Sequence, residues 1–212
     1  IAKHKLTRKP VFFDIGANIG VQTLQLCNYF ENSTVHSFEP TNYAFNKLNN
    51  NVLLNSKLKK KIILNQAFLT NKVNTLPSKI YSSWSLLDKK NSHKKHFGSL
   101  KITNKAKSFQ LDDYIIKYKI KKIDFIKLDV DGYELDVLKS GYKFLKKNKT
   151  PIIFEVAPYL YKEHNYSQVD LIKLFKNLNY SFYNINNLTR ISDIDKYFST
   201  ISDGESTTLI AK

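Results

Sequence analysis

The chain has 212 residues, 34 basic against 18 acidic side chains for a formal net charge of +16, and 42% hydrophobic and 13% aromatic content. This is enough for one sizeable α/β core and too little for two ordinary ones, and so much apolar surface offsets the ordering entropy, which excludes a disordered chain. A lone cysteine, Cys27, excludes an internal disulfide and points to a reducing, cytoplasmic compartment, and no apolar run approaches the roughly 20 residues of a membrane span.

The sequence begins at Ile1 without an apolar signal core and contains no Met, so it reads as a trimmed or partial chain. Residues 10–16 form a dense apolar run broken by Asp14 and Gly16, the pattern of a buried parallel strand followed by a functional turn. Residues 21–29 carry Val21, Leu24 and Cys27 at helical spacing, residues 35–38 form a strand closed by Glu39 and Pro40, and residues 43–54 form a second helix. Residues 62–64 are a third strand. From residue 70 to residue 107 the rhythm breaks into a Lys- and Ser-rich stretch, read as an irregular flap with a hairpin pairing residues 100–103 with 107–111.

Residues 123–131 resume with a strand tipped by Asp129 and Asp131. Leu135, Leu138, Tyr142 and Leu145 make one amphipathic stripe. Residues 152–154 lead to Glu155, residues 169–178 form another helix, and residues 181–185 and 207–210 are the last two strands. Strand and helix alternate, which predicts a single α/β domain over residues 1–212. Its mostly parallel, doubly wound sheet has about seven strands, with ligands bound outside their carboxyl ends at the topological switch point.

Three places carry chemistry. The first is Asp14-Ile15-Gly16-Ala17-Asn18-Ile19-Gly20, between a strand and a helix, where small residues let the backbone approach a ligand and the helix N-terminus offers unpaired N–H groups. Its glycines are four apart, so it is not the dinucleotide fingerprint, which opposes an NAD-linked oxidoreductase; Asp14 could neutralise the amine of an amino-acid-bearing nucleotide. The second is Glu39, at the end of the next strand, where an acid accepts ribose hydroxyls in nucleotide-binding α/β folds. Gln66 and Ala67, after the third strand, mark a resting place for an adenine ring.

The third is Asp129-Val130-Asp131-Gly132-Tyr133-Glu134. Asp129 and Asp131 would point the same way on an extended strand and Glu134 would start a helix, so three carboxylates converge. They could hold a divalent cation, orient a substrate hydroxyl, raise one another's pKa to give a usable base, or cap the helix.

Taken in order, residues 11–20, then Ser37-Phe38-Glu39-Pro40, then Leu111-Asp112, then residues 123–134 and Val137-Leu138 resemble the FkbM family of S-adenosylmethionine-dependent methyltransferases. The resemblance runs from Val11 to Glu155. It implies a Rossmann-like class I methyltransferase fold with S-adenosyl-L-methionine as cofactor. Asp14, Gly16, Asn18 and Gly20 would hold its methionine part, Glu39 its ribose, and Asp129 would lie near the transferable methyl. Asp131 departs from the Glu more usual in the family.

The histidines divide. His93 and His96 sit three apart without a Cys or acid to complete a ligand set, so they read as solvated loop residues and no metal ligand is assigned. His36 belongs to a strand, and His164 follows Glu155 past a strand end, where it could line a substrate pocket. The expected function is O-methylation of a hydroxyl on a sugar or other small metabolite, with Asp129, Asp131 or Glu134 as catalytic carboxylates and Glu155 as a more distant candidate base. The alternative is a non-catalytic Lys-rich nucleic-acid-binding module. Against it, only Arg8 and Arg190 supply the bidentate guanidinium that reads phosphate and guanine, and phosphate binding gives no reason for acid-tipped strands.

Overall fold

The computed structural model describes residues 6–72, 75–82, 92–95 and 98–212. The first half contains β1 (Val11–Ile15), α1 (Val21–Tyr29), β2 (Thr34–Phe38), α2 (Asn42–Leu54), α3 (Ser56–Lys59), β3 (Ile62–Asn65) and β4 (Ala67–Leu69). The flap contributes β5 (Lys79–Ser82), β6 (Ser99–Ile102) and β7 (Lys107–Phe109). Then come α4 (Leu111–Lys117), β8 (Phe125–Leu128), α5 (Glu134–Ser140), α6 (Tyr142–Asn148), β9 (Ile152–Val156), α7 (Pro158–Tyr161), α8 (Gln168–Asn177), β10 (Phe182–Asn184), α9 (Ile194–Ser199) and β11 (Thr207–Ala211).

Seven strands form one sheet in the order β10-β11-β9-β8-β1-β2-β3. β3, β2, β1, β8 and β9 run parallel, and β11 enters antiparallel between β9 and β10. The expected α/β, doubly wound, mostly parallel sheet is therefore present. Its chain order reverses between β1 and β8, and crevices open at such switch points because the crossover helices leave toward opposite faces. Consecutive Phe12 and Phe13 on β1 are both buried and belong to separate apolar clusters, as expected where a parallel strand is covered on both faces.

Two expectations are corrected. The flap hairpin does not pair residues 100–103 with 107–111: β6 pairs antiparallel with β5, while β7 pairs parallel with β4. β7 passes over β5 and β6 to bond β4, and β6 reaches back across the flap to β5 instead of forward to β7, a choice that local turn chemistry does not specify. The single stripe from Leu135 to Leu145 is two helices that meet at Gly141, where a Cβ would lie 2.5 Å from Leu111 Cδ2. Around this bend the Leu111-Asp112 motif acts as a clamp. Ser140 Oγ accepts from Leu111 N at 3.1 Å, and Asp112 accepts from Lys143 N and Phe144 N at 3.0 and 2.9 Å, capping α6.

Candidate active site at the carboxyl ends of β1, β2 and β8

A cavity of about 930 Å³ opens at these strand ends. Its near side is the turn after β1. Gly16 has φ +78°, and a Cβ there would stand 1.7 Å from the Asp129 carbonyl oxygen, so only glycine lets the two turns meet. Gly16 N and Ala17 N both donate to Phe38 O, Asn18 N donates to Glu39 Oε2 at 3.0 Å, and Gly20 N donates to Ala17 O. The turn therefore spends most of its own amides on the end of β2 and on itself, and what it offers the cavity is shape together with the N-terminus of α1. Gly20 starts α1 at φ +92° without a side-chain cap, and Val21 and Gln22 from the first turn of α1 reach the lining.

Asp14 lies beneath this turn and outside the cavity lining. It is fully buried, its Oδ2 accepts from Thr23 Oγ1 at 2.5 Å, and Thr23 in turn meets Ser37 Oγ at 2.8 Å. Asp14 Oδ1 has no hydrogen-bond donor among the described residues, and the nearest cation is Lys127 Nζ at 3.6 Å. Glu39 lines the wall. Its Oε1 accepts from Thr41 N and Thr41 Oγ1 at 2.9 and 2.6 Å, and burial pushes its carboxyl above the ordinary range despite these bonds.

Ala67, Phe68 and Leu69 form an apolar wall, with the Phe68 ring edge-on to Tyr133 at 4.9 Å. Gln66 faces elsewhere: its Nε2 donates to Asn42 Oδ1 at 2.8 Å, and its carbonyl accepts from Lys107 N.

Asp129, Asp131 and Glu155 bring three acids to the same cavity. The alternation expected for Asp129 and Asp131 does not apply, because β8 ends at Leu128 and Asp131 takes a left-handed backbone with φ 49°. The turn, and not the pleat, turns both carboxylates to the cavity. Asp131 is pushed up to about 7, first by burial and then by Asp129, Glu155 and Glu39. Burial and Asp129 also raise Glu155.

Glu134 stands apart from this group. It is buried outside the lining, where Oε1 accepts from Val130 N and Gly132 N at 3.2 and 3.4 Å and Oε2 from Tyr166 OH at 3.3 Å, and burial pushes it up to about 8. His164 also lies outside the lining, its Nε2 3.2 Å from the Asp131 carbonyl and its ring tilted against Tyr133 with centroids 4.0 Å apart.

Side chains that drew no attention in the sequence complete the site. Lys127 is the ionisable residue of an otherwise apolar strand, and that interruption was the available signal. Tyr133, Tyr159, Ser206 and Lys95 also line the cavity, and the ring of Tyr159 lies 5.5 Å from Lys95 Nζ. His93 is buried and pairs with Glu163 at 2.9 Å, pinning the flap beside α7, which corrects its assignment as a solvated loop residue. His96 lies outside the described residues. His36 is a strand core residue as expected, bonded to Tyr114 OH at 2.8 Å and pushed down by burial to about 4. Among the described residues no group of His, Cys, Asp and Glu has the geometry of a metal site, and no helix is long and apolar enough to cross a membrane.

The profile of the Methyltransferase FkbM domain matches residues 14–182, well over half of the chain and all of the cavity lining named above except Ser206. The chain belongs to the FkbM methyltransferase family. It is similar to the methyltransferase sdnD of Sordaria araneosa, at 27% identity over 161 residues, covering 63% of this chain. The chain spans 61% of the length of that curated relative.

Among solved structures it superposes on a methyltransferase FkbM from Methylobacillus flagellatus KT with a TM-score of 0.57 at 16% identity, over 100% of this chain and 45% of that one. A putative rRNA-methylase from Clostridium thermocellum gives a TM-score of 0.53 at 11% identity, over 98% of this chain and 88% of that one. At such identities the likeness is one of fold, and the fold of this family member is that of class I S-adenosylmethionine-dependent methyltransferases.

Proposed function

We propose that the chain is a methyltransferase that uses S-adenosyl-L-methionine to methylate a hydroxyl oxygen of a small acceptor such as a sugar. The observation that carries this reading is one cavity that combines the glycine turn, Glu39 and the acids Asp129, Asp131 and Glu155. The residues fit the cofactor. Glu39 keeps carboxylate lone pairs beyond the Asn18 and Thr41 donors for ribose hydroxyls, and Ala67, Phe68 and Leu69 offer an apolar wall to a base. When bound, the cofactor supplies an electrophilic methyl on a positively charged sulfur.

The chain's own part is positioning and proton removal, which is where a displacement at carbon gains most from a protein. Asp131, poised near 7, accepts the proton of the acceptor hydroxyl, and the Asp129 and Glu155 carboxylates orient that hydroxyl. Tyr159 and Tyr133 supply flat apolar faces for the carbon skeleton of the acceptor. Glu134 supports the turn that carries Asp131 and touches neither partner.

Calorimetric titration with S-adenosylhomocysteine tests the reading. The wild-type chain should bind it, and Glu39→Ala should bind about 5- to 100-fold more weakly, the loss of one or two hydrogen bonds in a partly buried site. Unchanged affinity in a folded variant would remove Glu39 from the site, and preference for NAD would remove the cofactor assignment.

A further inference from the structure

Lys127 is flanked on β8 by the buried Phe125, Ile126 and Leu128, and its own side chain is only 16% exposed. Its Nζ donates to the Gly16 carbonyl at 2.6 Å and lies 3.2 Å from Asp129 Oδ2 and 3.6 Å from Asp14 Oδ1. Gly16 belongs to the turn after β1 and Asp129 to the turn after β8, so one cation bridges the two turns that enclose the cavity. The strand register enforces the contact, because Lys127 pairs with Asp14 across the parallel ladder.

Packing does not account for this charge. Burial works against it, and what holds the ammonium there is the pair of carboxylates, Asp14 and Asp129, which favour the charge more strongly than burial opposes it. What an apolar residue cannot do is hold the Gly16 carbonyl and the Asp129 carboxylate on one point.

We propose that Lys127 is a positioning residue that locks the Gly16 turn against the Asp129 turn and sets the charge balance of the acid-lined cavity, so that tight nucleotide binding depends on its ammonium. The inference rests on reading the cavity as a site for an S-adenosyl nucleotide. The charged groups that face Lys127 are Asp14 from β1, Glu39 after β2, Asp129 and Asp131 after β8, and Glu155 from β9. Burial raises Glu39, Asp131 and Glu155, and Lys127 opposes the rise in each. Loss of the ammonium therefore drives all three further up and moves the acid-side loss of binding to higher pH.

The test is calorimetric titration of S-adenosylhomocysteine into the wild-type chain, Lys127→Met and Lys127→Arg, from about pH 5.5 to about pH 9, with thermal melting to establish the folded state. Lys127→Met should bind at least about 10-fold more weakly near neutral pH and shift the acid limb upward by about one pH unit. Lys127→Arg should restore the limb to near its wild-type position and only part of the affinity, because a planar fork does not reproduce a point cation between Gly16 and Asp129. Should Lys127→Met fail to fold, Lys127→Gln, which keeps a donor for the Gly16 carbonyl without the charge, carries the same comparison.

Wild-type binding with an unaffected Met or Gln variant overturns the role of Lys127 alone. Equal weakening in the Met and Arg variants with no movement of the limb also overturns it, by reducing Lys127 to packing. A wild-type chain that does not bind the nucleotide is a distinct result, seen before any variant is made, and takes down both readings.

Discussion

The α-carbon of Gly16 and the carbonyl oxygen of Asp129 approach so closely that a Cβ on the glycine would lie 1.7 Å from that oxygen. Gly16 also holds φ +78°, a region that costs a side chain roughly 1–2 kcal/mol before any clash. Since the opposing atom is backbone, relief requires a shift of a whole turn. Gly16→Ala should therefore lower stability by at least about 2 kcal/mol in urea unfolding and abolish S-adenosylhomocysteine binding in whatever fraction folds. Wild-type affinity in this variant would mean that the two turns need not touch.

Asp131 should show stability and activity moving in opposite directions. Its carboxyl, pushed up to about 7 in the folded chain, titrates near 3.9 when unfolded, so the folded state binds this proton more tightly. That contribution is fully present below about pH 4 and disappears as pH rises through about 7. Asp131→Asn should accordingly melt higher than wild type near pH 8, by about 1–3 kcal/mol, match it near pH 4, and lose turnover. Melting curves at both pH values, beside a turnover assay with a candidate hydroxyl acceptor, check all three signs.

Glu134 should tolerate an amide. Pushed up to about 8 by burial, it holds its proton near pH 7, while Oε1 serves the Val130 and Gly132 amides. Glu134→Gln keeps that acceptor and should leave stability within about 1 kcal/mol and cofactor affinity unchanged, whereas Glu134→Ala strands both amides and should cost about 1–3 kcal/mol. Collapse of turnover in a stable Gln variant would return Glu134 to the chemistry.

The net charge of +16 comes almost entirely from Lys and should give weak duplex binding that fades steeply with salt. Fluorescence anisotropy with a labelled duplex across a salt series measures it. Tight binding that survives physiological ionic strength would make nucleic acid a substrate candidate.

The sequence by itself determined the chain order of the seven strands of the main sheet and of α1, α2 and α8, while the short helices α4, α7 and α9 and the end of β8 at Leu128 were not legible in it. Val11–Ile15 and Phe125–Leu128 are short apolar runs closed by an acid or a glycine, and such runs are local in sequence. The positions of Gly16, Glu39 and Asp129 at one sheet edge follow from that order and from the right-handed crossovers of parallel strands. Tertiary structure decided which side chains face the cavity.

Asp131 points there because its backbone is left-handed, and Glu134 does not because α5 turns it back under its own loop, neither of which a period of two anticipates. Asp14 went beneath the turn because Thr23 from α1, itself held by Ser37 of β2, and Lys127 from β8 converge on it. The pairing of Lys127 with Gly16 joins residues 111 apart in the chain, and only strand register brings such groups together.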